Sequence, residues 1–295
     1  MIRLGGPIFT MSSTSAGAGQ SHGATNFDPE ALALAHKAKG FCAAYAPNIK
    51  LHETELIKAT KEAFARHDIM IAEAGYWENL LDLDADTKKF HHDAMLETFQ
   101  LAEELGAKCA VNILGSFCTG NGNSAFSPRN FADEAFEAAV EIARYFIDTV
   151  KPKTACFAYE IFPFNIVDSP EMIYKLIKAV DRDMFAVHLD LANLINSPRN
   201  YWRSGEIMKE CVQLFGNRIV AAHVKDIKMQ EPAISVILEE VIPGQGMLDH
   251  ATYIRELHAL PQDIPFMMEH LASEAEYDQA AAHLRAVGAE QGIMF

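Results

Sequence analysis

Glu160 in AYEIF, Asp190 in HLDL, His223 in AHVKD and Glu269 in MMEHL each place an ionisable group inside an apolar run. Burying charge is costly, so four such intrusions call for a common cause. They are 30, 33 and 46 residues apart (160 to 190, 190 to 223, 223 to 269). Three carboxylates and an imidazole meeting in a low-dielectric site would repel unless something compensates, and a shared divalent cation does so. Three oxygen donors and one nitrogen suit Mn²⁺ first, with Mg²⁺, Co²⁺ or Zn²⁺ as alternatives. Taken singly, each residue has a plainer reading: a solvated strand end, a helix cap, a satisfied core histidine. Their recurrence at matching depth is what points to a site.

That recurrence needs elements able to bring the four together. Short apolar runs lie at residues 2–10, 41–47, 69–77, 108–116, 155–164, 185–194, 219–228 and 265–271. Amphipathic segments alternate with them. Residues 53–68 carry Leu56, Ile57, Thr60, Ala63 and Phe64 on one stripe, and residues 131–150 carry Ala135, Ala139, Ile142, Phe146 and Val150. Runs that are apolar on both sides of the alternation, seven of the eight followed by a clear helix pattern, predict a parallel sheet covered by helices. From the fifth strand on, the starts fall at roughly 30-residue intervals, as in a (β/α)₈ TIM barrel of ~250 residues. A doubly wound sheet is the competitor, but no Gly-x-Gly-x-x-Gly follows the first strand. The expectation is an α/β chain forming one TIM-barrel domain over 1–295. In such a barrel the C-terminal strand ends share one face, so the four groups converge at the mouth.

Two insertions interrupt the rhythm. Residues 11–28 are small, polar and Gly/Ser-rich, and read as a flexible insertion in the first loop or as a lid. Residues 229–248 lengthen the seventh loop. Their PGQG offers backbone N–H groups to an anion, although a plain turn is the simpler reading.

Strand period adds a second tier of candidates. His188 shares a face with Asp190, and Lys225 with His223; each is either a substrate contact or an inner packing residue. Asn112 in AVNILG is a substrate hydrogen-bonder or a backbone bridge. Glu73 and Trp77 end the third strand as further substrate-binding candidates, Trp77 as a pocket wall or as ordinary packing. His91 and His92 read as surface.

Bulk composition narrows the partners. The chain has 295 residues, 49% of them hydrophobic, and 25 Lys+Arg against 40 Asp+Glu give a net charge of −15. A field of that sign repels phosphate backbones and anionic lipid, which excludes nucleic acid as a default partner. No run of ~18 apolar residues exists, so no membrane partner is expected, and MIRLGGPIFT lacks the apolar stretch of a signal peptide. The five cysteines, 42, 109, 118, 156 and 211, have no C-x-x-C spacing, which predicts free thiols and a reducing, cytoplasmic location.

The series GGPIF, AEAGYW, VNILGS, EIFPF, VHLDLANLINSP, HVKDIK, PGQG and MEHL resembles the xylose isomerase-like barrels grouped as sugar phosphate isomerases/epimerases. The resemblance covers residue 2 to about 290, with 11–28 extra. It implies a metal quartet at Glu160, Asp190, His223 and Glu269, the glutamates doubling as the acid/base pair. It also implies a small carbohydrate substrate and a homo-oligomer, dimer or tetramer. One position departs: related ketose 3-epimerases place a substrate-touching histidine three residues after the metal aspartate, where this chain has Asn193. The implied activity is isomerisation or epimerisation through an enediolate. The alternatives are a metal-dependent lyase of the same superfamily (β-elimination of a 3-keto C-glycoside, or cyclitol dehydration), an abasic-site endonuclease-like protein, and a non-catalytic sugar-binding barrel.

Overall fold

The computed structural model describes residues 1–9, 27–120 and 127–295. Its strands are β1 (Ile2–Gly5), β2 (Ala43–Ala44), β3 (Met70–Ile71), β4 (Glu73–Gly75), β5 (Cys109–Asn112), β6 (Cys156–Glu160), β7 (Phe185–Asp190), β8 (Ile219–Val224), β9 (Asp226–Met229), β10 (Leu238–Val241) and β11 (Ile264–Met268). Its helices are α1 (Pro29–Ala38), α2 (Thr54–Arg66), α3 (Ala85–Leu105), α4 (Asp133–Val150), α5 (Pro170–Val180), α6 (Pro198–Tyr201), α7 (Ser204–Phe215), α8 (His250–His258) and α9 (Glu274–Glu290).

Nine strands pair in the order β3-β2-β1-β11-β8-β7-β6-β5-β4, every pair parallel. The two ends of that order are neighbours in sequence, separated by Ala72 alone. One stretch of chain therefore pairs with β2 at its start and β5 at its end, and the ladder runs round on itself as an eight-staved α/β barrel. The expected strands are all present, but shorter than their apolar runs. Among the described residues, most of what remains of these runs is loop at the C-terminal mouth, where backbone leaves the ladder to carry side chains.

Helix boundaries follow local chemistry. Asp28 and Asp84 accept from Ala31 N and Thr87 N at the starts of α1 and α3, and Pro29, Pro170 and Pro198 open α1, α5 and α6. Gly106, at φ 71°, ends α3 in the left-handed region. Two layers of apolar contact result. Outside the strands, Phe99, Phe146, Phe157, Tyr159 and Phe185 interlock with ring centroids 5.1–6.5 Å apart. Inside, small residues dominate: Cys109, Val111, Ala158, Ala186 and Ala221 form one buried cluster, with Trp77 packed on it.

Among the described residues no helix is long and apolar enough to cross a membrane. All five cysteines are free. The expected flexible insertion at 11–28 lies outside the described residues, except for its last two positions. The lengthened seventh loop carries a strand of its own. β10 folds back antiparallel on β9, pairing Val241 with Asp226 and Leu238 with Met229. His91 and His92 are not surface residues. They lie in the second turn of α3, half-buried, bonded to the Tyr76 hydroxyl at 2.7 Å and the Leu80 carbonyl at 3.0 Å.

Candidate metal centre

Parallel register sets which side chains share the barrel interior. Glu160 pairs with His188, Asp190 with His223, and Met267, two residues before Glu269, with His223. The structure brings Glu160, Asp190, His223 and Glu269 together: one potential ligand atom from each lies within 4.8 Å of the others. All four are buried, at 3%, 0%, 0% and 3% exposure. His223 Nδ1 faces Glu160 Oε1 at 3.2 Å and Glu269 Oε2 at 3.0 Å.

The other ring nitrogen, Nε2, lies 3.1 Å from Glu73 Oε1, and Glu73 Oε2 lies 2.5 Å from His188 Nε2. Glu73 therefore ties two buried imidazoles together, their ring centroids 4.1 Å apart. His188 reaches this position at a register shift between Val187 and His188, a local bulge that re-aims a side chain. Lys225 reaches back to the same centre, with Nζ 2.8 Å from Asp190 Oδ2 and 2.9 Å from Glu269 Oε2.

Four buried carboxylates against one ammonium and two imidazoles set the electrostatics. Burial pushes the Glu73 carboxyl up, but His188 and His223 outweigh it and hold it at about 2. Burial likewise opposes the charged forms of His223, Lys225 and Glu269. The carboxylates around His223 and Lys225 nevertheless raise both well above their ordinary values, and His223 and Lys225 hold Glu269 well below the usual carboxylate range.

The remaining candidates are placed as follows. Asn193 directs its amide to Asp190 Oδ2 at 3.1 Å and the Ile161 carbonyl at 2.9 Å, while Asp190 Oδ1 accepts from Ala192 N at 2.9 Å. The Asn193 amide thus holds the aspartate in place. Asn112 donates to the Tyr76 and Glu78 carbonyls and accepts from Leu114 N, a bridge between the third and fourth mouth loops. Trp77 lies over Gly75, where a Cβ would meet its ring at 1.4 Å. The PGQG turn does take an anion, from within the chain: Gly244 N and Gly246 N each donate to Asp226 Oδ2 at 2.9 Å.

Sequence reasoning missed His270 and Glu240. His270 follows Glu269 in left-handed backbone at φ 58°, uncommon for a side chain of this size. Its Nδ1 lies 2.8 Å from Glu240 Oε2, on β10, and its Nε2 lies 3.5 Å from Glu269 Oε1. The MEHL string carried His270, but the hairpin that delivers Glu240 had no local signal.

The donor set fits a divalent ion. Three hard oxygen ligands and one imidazole converge, and among the described residues the buried Glu160 Oε2 accepts no hydrogen bond. With His223 Nδ1 turned to the quartet, its Nε2 is left to Glu73, the arrangement by which a carboxylate orients a metal-ligating histidine.

Comparison with known proteins agrees with this architecture. No curated protein sequence matches the chain. Among solved structures, a 3-keto-D-glucoside 4-epimerase from E. coli is similar at TM-score 0.67 and 13% identity, over 97% of this chain and 100% of that one. A D-psicose 3-epimerase from Clostridium cellulolyticum H10, solved with D-tagatose, is similar at 0.66 and 14%, over 99% of both. A xylose isomerase-like TIM barrel protein from Mycobacterium smegmatis, in complex with magnesium, is similar at 0.65 and 15%, over 97% and 95%. At such identities the likeness establishes the fold alone. The sequence profile of the xylose isomerase-like TIM barrel family matches residues 31–287. The chain belongs to that family.

Proposed function

We propose that this chain is a divalent-metal-dependent isomerase or epimerase of a carbohydrate, with Mn²⁺ as the ion its donor set suits best. The observation that carries the proposal is the buried convergence of Glu160, Asp190, His223 and Glu269. The bound ion would act as a Lewis acid on a carbonyl and adjacent hydroxyl, making the neighbouring C–H more acidic. Glu160 and Glu269 both approach His223 Nδ1, so each carboxylate is also beside whatever that centre binds. One of them removes the proton from the carbon next to the carbonyl, leaving an enediolate. The other returns a proton, to the opposite face or to the next carbon. Asp190, held by Asn193 and Lys225, keeps its oxygens directed at the centre. Sugar epimerases among the structural neighbours support a carbohydrate substrate.

Deuterium uptake from solvent into a panel of ketoses and keto-glycosides, with the protein loaded with Mn²⁺, tests the reading. Uptake at the carbon beside the carbonyl is expected, with a loss of at least about 100-fold in Glu160→Gln and in Glu269→Gln, the range of general acid–base contributions. Near-normal uptake in either variant refutes its proton-transfer role. Absence of a stoichiometric divalent ion from protein purified without chelator refutes the metal centre itself.

A further inference from the structure

Beside the centre lies a cavity of about 320 Å³. Its walls are the loop after β2, from Tyr45 to Leu51; β4 and its loop, from Glu73 to Glu78; and one face of α3. Two wall residues adjoin the candidate metal centre. The Tyr45 ring stands 6.2 Å from that of His223, and Glu73 carries both His188 and His223. We propose that this cavity is a subsite for an uncharged ring attached to the reacting sugar, so that the substrate is a neutral glycoside. The inference rests on the carbohydrate reading above and names its substrate class.

Three observations support an uncharged ring. The volume, about 320 Å³, falls at the lower end of the ~300–1,000 Å³ typical of small-molecule sites. The wall presents flat and apolar surface: Tyr45, Ile49, Trp77 and Leu101. Trp77 adopts its place only because residue 75 is glycine. Aromatic faces of this kind suit the C–H face of a pyranose or an aromatic aglycone. Charge argues against a phosphate. Glu73, Glu78 and Glu97 line the cavity, and among the described lining residues Lys50 is the one base. Lys225, the nearest ammonium to the quartet, is already committed to Asp190 and Glu269. A phosphorylated tail would meet three carboxylates with a single ammonium, Lys50, to offset them.

A glycoside restricts the chemistry further. Its anomeric carbon is locked as an acetal and cannot open to a free carbonyl. The carbonyl that activates the C–H must therefore sit on another ring carbon. The substrate is then a keto-glycoside, supplied by a dehydrogenation that passes hydride from a ring hydroxyl to a nicotinamide-type acceptor. In the step itself one C–H bond breaks and its electron pair enters the C=C bond of the enediolate. The proton goes to a carboxylate, and one is returned to the other face of the same carbon. The ring stays closed and nothing is oxidised or reduced.

Isothermal titration of Mn²⁺-loaded protein with probes that carry no ring ketone tests the subsite: glucose, glucose 6-phosphate, methyl and phenyl β-glucoside, and cellobiose. At least one of phenyl β-glucoside and cellobiose should bind about tenfold or more tighter than glucose, as expected for an added aromatic-face contact. Glucose 6-phosphate should bind no better than glucose. The phenyl and disaccharide arms tell an aromatic aglycone from a second sugar. Ala94→Trp, which fills the cavity from α3, should erase the preference while metal stoichiometry holds. Trp77→Leu should reduce it, and gives the reading if Ala94→Trp does not fold. Tightest binding of glucose 6-phosphate, no glycoside preference in the unmodified protein, or a preference unchanged in the folded variants overturns the proposal. If glycosides bind as stated but no probe ketose or keto-glycoside takes up solvent deuterium, the subsite stands and the isomerase reading falls. Uptake into free ketoses with no glycoside preference does the reverse.

Discussion

Glu73 offers the sharpest test of how the centre is built. Glu73→Gln keeps the shape of the side chain and removes its charge. In the native protein its two oxygens receive His223 Nε2 at 3.1 Å and His188 Nε2 at 2.5 Å. An amide has one accepting oxygen, so one imidazole must meet an NH₂ group and change tautomer or turn away. In the metal-free protein, where the surrounding carboxylates favour a protonated His223, two full charges 3.1 Å apart at an effective dielectric of 20 correspond to a Coulomb energy of about 5 kcal/mol before desolvation is subtracted. Losing a carboxylate that orients a metal-bound histidine costs about 10–100-fold in metal affinity, or about 1.4–2.7 kcal/mol. Competition against a chelator measures the Mn²⁺ affinity, and the visible spectrum of Co²⁺-substituted protein reports ligand geometry. The expected result is one ion per chain, bound 10–100-fold more weakly, with an altered Co²⁺ spectrum. Glu73→Asp, one methylene shorter, should recover part of the affinity by reaching one imidazole. Unchanged affinity would refute the positioning role. Complete loss of the ion would instead make Glu73 a ligand.

Lys225→Met removes the ammonium between Asp190 and Glu269. Breaking a buried ion pair costs about 3–5 kcal/mol, so the metal-free variant should melt well below the parent, and added Mn²⁺ should raise its Tm by more than it raises the parent's; an equal metal-induced shift would deny Lys225 its compensating role. His36 provides a control remote from the centre. Burial lowers its pKa from 6.5 to about 4. The unfolded chain therefore binds the extra proton between those values, and this contribution to stability is complete above pH 6.5 and lost as pH falls towards 4. The loss amounts to about 3 kcal/mol. Urea titrations at pH 4.5 and 7 should show a smaller pH difference for His36→Leu than for the parent, and an identical difference would refute the assignment.

Much of the barrel was legible in the linear sequence, for a local reason. Strand and helix periods are properties of neighbouring residues, so the eight apolar runs and the stripes of α2 and α4 could be read directly. Asp226 and PGQG were also legible as pieces: an acid after HVK, and glycines able to expose N–H groups. That the two would satisfy each other was not, since they are about 20 residues apart and either could have bonded elsewhere.

The quartet itself was visible because each member violates the pattern around it, and parallel strands have a common mouth. Tertiary structure decided what surrounds them. His188 meets Glu73 across 115 positions, and His223 meets it across 150. Glu240 reaches His270 by way of a hairpin with no sequence signature. Lys225 turns to Asp190 and Glu269, and Asn193 turns to Asp190. Such partners are chosen by the need to neutralise buried charge at a distance of a few ångströms, and that distance exists only after the barrel closes. Residue type and spacing dictate which groups are buried at a cost; the closed fold chooses the neighbours that offset it.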